Sequence, residues 1–477
     1  MHSCFPTLGL ALTTALSTSL LSGCAGSNHT SDLGLIYSRA AATEEEYRSP
    51  VIVIPGILGS KLVDRDSGRQ VWGAFSGDYA NPSETEGARL IALPMEDGVP
   101  LSDLRDRVRS DGALDTVKVS LFGIPVELSA YVQILGTLGL GGYRDRQLGE
   151  SGAIQYGPGH YTCDQYDYDW RKDISQHAAD LHEYVKGVSE YVAEQRGLDE
   201  PVKVNIVAHS MGGLVARYYL RHGPTPLPDD GSLPPITWEG AEYVQRLIMV
   251  GTPNAGSVLS LEQLVNGYKI APILPKYNAA VLGSFPSIFQ LMPRVRHGAY
   301  RLGDSDDHVD VFDADAWIDR GWGLADPRLD DELEELLPDA DTAEERRAIA
   351  LDHLRKSLAR ADQFHRAMDR EATPPEGLEI HLIAGDAEDT LATVEIDTKT
   401  GRIQDGQKRP GDGTVLRSSA LLDERVGGTW SPGLRSPIDF DDVLFLANDH
   451  LGLTKDTNFS NNVLFLLLED PAIAVSE

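Results

Sequence analysis

Val204-Asn205-Ile206-Val207-Ala208-His209-Ser210-Met211-Gly212-Gly213-Leu214-Val215 holds a strand, a sharp turn and the start of a helix within a dozen residues. The apolar, β-branched run up to Ala208 has the composition of a strand buried on both faces of a parallel sheet. Ser210 stands at the apex of the turn, with small residues at Ala208 and Gly212 two positions to either side, and helical spacing follows at once. This is the pattern of a nucleophile elbow. The serine backbone is strained, strand and helix pass close together, and only small flanks let the hydroxyl stand clear of the sheet. Ala208 replaces the usual first glycine, a change the same steric logic tolerates. His209 points away from its neighbour's hydroxyl in such a turn and is read as structural.

Similar strand-like runs occur outward from this segment, at residues 51–54, closed by Pro55-Gly56, and at residues 202–208, 246–250 and 378–384. Between them lie helical patterns, such as Leu181, Val185, Val188 and Val192, and residues 212–220. Strands alternating with helices predict a doubly wound, mostly parallel α/β sheet with its site at the carboxyl ends of the strands. With the elbow, this is the α/β-hydrolase fold class. Two regions break the alternation. Residues 73–161 are loop-rich, and the apolar patch at 117–140 reads as one buried helix plus a small subdomain. Residues 257–375 offer no good strand; 333–337 and 348–368 read as acidic amphipathic helices, with Thr342 and Glu345 spaced as a capping box. Insertions at that edge of a sheet commonly form a cap or lid over the site.

A serine hydroxyl needs a histidine to take its proton and a carboxylate to orient that histidine, in the chain order Ser, acid, His for this fold class. His450, in a loop before an amphipathic helix at 461–468, stands where the base belongs; His381 lies inside a strand and is read as packed. Two carboxylates compete for the acid: Asp412, presented between Gly411 and Gly413, and Asp386, just behind the strand at 378–384. The oxygen that becomes negative on attack needs preorganised backbone donors. Their expected sources are the amide of Met211, at the start of the helix, and that of Ile57, in Pro55-Gly56-Ile57-Leu58-Gly59-Ser60 after the first strand.

The chain has 477 residues, of which 41% are hydrophobic and 24% charged, enough apolar material for a large core and too much for disorder. Its net charge of −31 repels phosphate backbones, so nucleic acid is not an expected partner. Residues 8–21 are apolar or small, too short to span a bilayer, and lead into Leu21-Ser22-Gly23-Cys24. That segment resembles a bacterial lipoprotein signal peptide. The resemblance implies removal of residues 1–23, lipidation of Cys24, a flexible tether over 24–49 and a body over 50–477. The product would be an exported cell-envelope lipoprotein held to a membrane by Cys24; Ala25 after it fits release to the outer membrane where the bacterium has one. Of the three cysteines only Cys163 lies in the body, so no internal disulfide framework is possible and an idle buried thiol is expected. Neither a metal-ligand cluster nor a dinucleotide glycine pattern is present, so no metal and no cofactor is expected.

Several stretches together resemble the lecithin:cholesterol acyltransferase family. They are Val53-Ile54-Pro55-Gly56-Ile57-Leu58-Gly59-Ser60 with Val71-Trp72, Tyr168-Asp169-Trp170-Arg171, Ala208 to Gly213, Gly251-Thr252-Pro253-Asn254-Ala255-Gly256-Ser257, Gly411 to Val415, and His450. Their order spans residues 51–468. The resemblance implies a triad of Ser210, Asp412 and His450 and oxyanion donors at Ile57 and Met211. Tyr168 to Arg171 are read as support, with Arg171 paired to a buried carboxylate and Trp170 in the core. The implied activity is an acyl-serine mechanism on a lipid or other fatty-acyl ester, with water or an alcohol as acceptor. An esterase of small soluble esters and a non-catalytic envelope binding protein are the alternatives.

Overall fold

The computed structural model describes residues 31–42, 48–73, 79–113, 117–121, 124–128, 131–269, 275–303 and 307–470. Among these, six strands make the central sheet: β1 (Val51–Ile54), β2 (Cys163–Gln165), β3 (Val204–His209), β4 (Val244–Val250), β5 (Glu379–Gly385) and β6 (Asp442–Leu446). Their spatial order is β6-β5-β4-β3-β1-β2, and every neighbouring pair is parallel. The helices that position the site are α1 (Leu33–Ala42), α2 (Val132–Leu140), α3 (Ala178–Arg196), α4 (Met211–His222), α5 (Ala343–Met368) and α6 (Thr457–Leu468).

The burial of every residue of β1, β3 and β4 follows from this arrangement, because alternate residues enter two different cores. Ile52, Ile54, Ile206, Leu247 and Met249 pack on the side of Leu181 and Val185 of α3 and Leu214 of α4. Val51, Val53, Val207, Ile248 and Val250 pack on the other side, with Ile134 and Leu138 of α2 and Phe459 and Val463 of α6. Each such side chain contributes about 1.5–3 kcal/mol when fully buried, which no half-polar strand could match. β1 lies between β2, which follows it in the chain, and β3, so the loops after β1 and β3 diverge at a switch point where α/β sheets place their ligands.

Several local expectations change. The patch at 117–140 contains the one expected helix only at its end, as α2; the residues before it form an antiparallel hairpin, Val117–Leu121 with Ile124–Leu128. Val-Lys-Val-Ser-Leu and Ile-Pro-Val-Glu-Leu alternate with period two, which total apolarity obscured. The 257–375 region contains a strand after all: Tyr300–Leu302 pairs with Val394–Ile396, joining that region to the chain after β5. Three residues are too few for periodicity to reveal. The terminal helix starts four residues earlier than expected, at Thr457 behind the N-cap Asp456, because its first turn is polar. Half of the capping box forms: the Thr342 hydroxyl accepts from Glu345 N–H, whereas the Glu345 carboxylate accepts from the N–H of Asp341, one residue before the cap, and not from that of Thr342.

Part of the stretch expected as a flexible tether is ordered. In α1, Leu33 and Tyr37 lie one turn apart and are buried against Leu464 of α6, and the Tyr37 hydroxyl is 2.9 Å from the Asn461 carbonyl and side-chain oxygens. An i, i+4 apolar pair in an alanine-rich segment suffices to dock a helix, and average polarity does not register it. Residues 1–23, Cys24 and Ala25 lie outside the described residues. Among the described residues no helix is long and apolar enough to cross a membrane.

Candidate active site

β3 ends at His209, and Ser210 takes φ 53° and ψ −127° before α4 begins at Met211. A non-glycine residue at positive φ is strained, and close packing holds it there. A Cβ at Gly212 would lie 2.4 Å from the Pro55 carbonyl oxygen, and one at Gly56 would lie 2.7 Å from Ser210 Cβ. The loop after β1 and the elbow after β3 are therefore in direct backbone contact, and that contact demands the two glycines.

Ser210 Oγ is 3.0 Å from His450 Nε2, and His450 Nδ1 is 2.8 Å from Asp412 Oδ2. His450 comes from the loop between β6 and α6, and its backbone N–H donates to the Asp412 carbonyl at 2.8 Å, so main chain and side chain bind the same partner. Asp412 is 2% exposed, and its other oxygen accepts the backbone N–H groups of Thr414 at 3.0 Å and Val415 at 2.6 Å. The rival Asp386 instead accepts from Arg417 at 3.3 Å, at the surface. Position behind β5 favoured Asp386, yet Asp412 occupies that place in space: a Cβ on Gly385, the last residue of β5, would lie 2.6 Å from Asp412 Cβ.

His209 supports the histidine instead of replacing it. Its Nε2–H donates to the His450 carbonyl at 3.2 Å, and the two rings lie 4.9 Å apart. Burial, with His450 beside it, lowers its pKa to about 3, so it stays neutral. His381 is packed in β5 against Glu379, as its place in a strand suggested. Cys163 is buried in the edge strand β2, where burial and the nearby Asp145 and Asp164 raise its pKa well above the usual thiol value and leave it inert.

The loop after β1 is shaped by side chains from other parts of the chain. Gly59 N–H donates to the Gly56 carbonyl, Leu58 sits at φ 65°, and Trp72 Nε1–H donates to the Leu58 carbonyl at 2.7 Å. Tyr168 donates to the Pro55 carbonyl at 2.8 Å, and Trp170 Nε1–H to the Ser60 carbonyl at 3.1 Å. Arg171, fully buried, is held by Asp169, Asp106 and the Ile91 carbonyl. Ile57 lines the cavity that contains Ser210, and Met211 opens α4, where helix geometry leaves amides without intrahelical partners. The cavity is about 700 Å³, and its walls are mainly apolar, among them Leu58, Trp72, Trp170, Tyr277, Phe285 and Ile288. An oriented imidazole beside a hydroxyl, next to an apolar chamber of that size, can activate the hydroxyl against the carbonyl of an ester with a long apolar arm.

Residues 160–317 match the lecithin:cholesterol acyltransferase family. The matched segment includes Ser210 and Met211; Ile57, Asp412 and His450 lie outside it, so their meeting with Ser210 is a finding of the geometry alone. No curated protein matches the chain. Among solved structures, the Tle4–Tli4 complex aligns over 90% of this chain and 99% of that one, with TM-score 0.55 and 17% identity. A lipase of Bacillus licheniformis, BlEst2 in mature form, aligns over 90% and 94%, with TM-score 0.37 and 13% identity. Lipase 1 from Pelosinus fermentans aligns over 89% and 99%, with TM-score 0.33 and 12% identity. The chain has the α/β-hydrolase fold.

One contributor carries no sequence signal: Tyr131 emerges from the inserted segment to line the cavity. Gly251 heads one of the stretches quoted for the family resemblance, and its role there is structural: at φ 59° it lets the chain after β4 pass beneath His450, where a Cβ would lie 3.2 Å from the ring.

Proposed function

We propose that the protein is a serine acyl-ester enzyme acting on a lipid ester, in which Ser210 attacks, His450 is the base, Asp412 orients it, and the amides of Ile57 and Met211 receive the oxyanion. The observation that carries this reading is the hydrogen-bonded series Ser210, His450, Asp412 opening into an apolar chamber. Attack forms the bond from Oγ to the carbonyl carbon while the serine proton passes to His450 Nε2; collapse then releases the alcohol, which takes that proton, and leaves an acyl-serine. Water or an alcohol activated by His450 completes the cycle. The family match and the apolar walls support a lipid substrate over a small soluble ester, which would leave most of the chamber unfilled.

The organisation proposed with it is a leader over 1–23, a tether ahead of α1, and one α/β-hydrolase body with an insertion at 73–161 and a cap at 257–375. Lipid on Cys24 would hold the body at the cell envelope and present the chamber to a membrane. Incubation of the purified body with a labelled phospholipid, with and without a long-chain alcohol, separates free acid from new ester by mass. Turnover in either channel that is lost in Ser210→Ala is the expected result; release of neither product from any acyl ester, together with no labelling of Ser210 by a fluorophosphonate, would refute the proposal.

A further inference from the structure

Tyr131 enters the site from the residue before α2 and takes no part in the chemistry described so far. Its side chain is 2% exposed, yet it shares the chamber wall with Ser210. Its oxygen accepts the Gly56 N–H at 2.7 Å, and the turn closes so tightly round it that a Cβ at Gly59 would lie 2.4 Å from the hydroxyl. Gly56 in turn packs on the nucleophile, with a Cβ there falling 3.2 Å from Ser210 Oγ. On its other side the Tyr131 ring meets His209 edge-on at 5.9 Å, and His209 packs on His450. The phenol is thus wedged between the loop after β1 and the histidine pair.

Only the acceptor side of this hydroxyl is used. Among the described residues its own hydrogen has no acceptor, an expensive omission for a buried polar group. Burial raises its pKa far above the usual tyrosine value, so it keeps its proton at any working pH. Accepting a backbone N–H also polarises the O–H bond and makes it a stronger donor.

We propose that the Tyr131 hydroxyl donates a hydrogen bond to the oxyanion formed on the substrate carbonyl, beside the backbone amides. The proposal rests on Ser210 being the nucleophile. As Oγ bonds to the carbonyl carbon and its proton passes to His450, the π pair moves onto the carbonyl oxygen. Tyr131 holds that charge without surrendering its own proton, and the pair returns when the tetrahedral species collapses.

Tyr131→Phe deletes the oxygen and keeps the ring on His209. The test measures kcat and KM on a p-nitrophenyl ester, inhibition by an alkylboronic acid, labelling of Ser210 by a fluorophosphonate, and the melting temperature. Loss of one oxyanion donor typically lowers kcat by about 10²–10³-fold. The expected result is a kcat loss of that order with KM little changed, and a comparable weakening of the boronate, whose serine adduct bears a tetrahedral negative boron. A kcat within tenfold of wild type, or a boronate affinity unchanged while kcat falls, overturns the proposal. If the phenylalanine variant does not fold, 3-fluorotyrosine at this position keeps the shape and strengthens the donor; it should tighten boronate binding, and an unchanged affinity overturns the proposal. Label on Ser210 with unchanged kcat removes Tyr131 alone, whereas no label on Ser210 in the wild type removes the nucleophile assignment as well.

Discussion

Replacing Asp412 by asparagine changes one atom and should silence the enzyme, because the structure dictates which way the amide must turn. Asp412 Oδ1 accepts two backbone N–H groups, from Thr414 and Val415, and an asparagine can satisfy them only by placing its oxygen there. The NH₂ group is then left facing His450 Nδ1, where the carboxylate oxygen stood at 2.8 Å. The imidazole must accept that hydrogen bond, its proton moves to Nε2, and Nε2 faces Ser210 Oγ as a donor instead of a base. A triad locked in the wrong tautomer loses about 10⁴ in kcat. At ~1.36 kcal/mol per tenfold, that is about 5.4 kcal/mol of barrier. The assay is hydrolysis of a p-nitrophenyl ester at neutral pH, with Asp386→Asn measured in parallel and thermal melting as the control for folding. Asp386→Asn loses only a surface contact to Arg417 and should retain most activity. An Asp412→Asn rate within tenfold of wild type, or a larger loss in Asp386→Asn, would refute this account of the acid.

Gly56→Ala should fold and yet lose about 10²-fold in kcat, since its Cβ would press to 2.7 Å on Ser210 Cβ and a displacement near 1 Å at a reacting atom costs that much; a rate close to wild type would mean the two loops can part. Stability should fall in mild acid. Burial lowers the pKa of His353 to about 4, so between that value and the unfolded value of about 6.5 only the unfolded chain takes up the proton; its contribution is complete above ~6.5 and is lost as the pH drops through that window. His353→Gln should therefore reduce the slope of unfolding free energy against pH between 6 and 5 by up to about 1.4 kcal/mol per pH unit, and parallel urea-denaturation slopes would show that the buried ring does not contribute. Cys24→Ala should release the exported protein from membranes, because the anchor's contribution of about 0.8 kcal/mol per buried methylene disappears; unchanged recovery in the membrane fraction would end the lipoprotein reading.

What was legible in the sequence had a short range. The elbow is a local device: strand, turn and helix follow one another within residues 204–215, so Ser210 and Met211 announce themselves. The strands β1, β3, β4 and β5 were visible because both faces of each are buried. The edge strands β2 and β6 were not, since Cys163-Asp164-Gln165 is mostly polar and the start of β6 is exposed. The hairpin at 117–128 alternates with period two inside a patch whose total apolarity equally suits a buried helix.

The amino-acid order by itself therefore determined the fold class and singled out Ser210 and His450, the residues proposed as nucleophile and base, through local steric demands and the Ser, acid, His order of such chains. It favoured Asp412 over Asp386 partly through the family resemblance, because both follow β5 and chain distance does not say which carboxylate turns inward. Only the tertiary structure decided that, by folding residues 408–415 back so that Asp412 lies over Gly385 while Asp386 meets Arg417. It also decided the surroundings of Gly56. A tyrosine 75 residues further along the chain supplies the acceptor for its N–H, and no pattern in sequence can register a contact made only when two distant loops pack on the same serine.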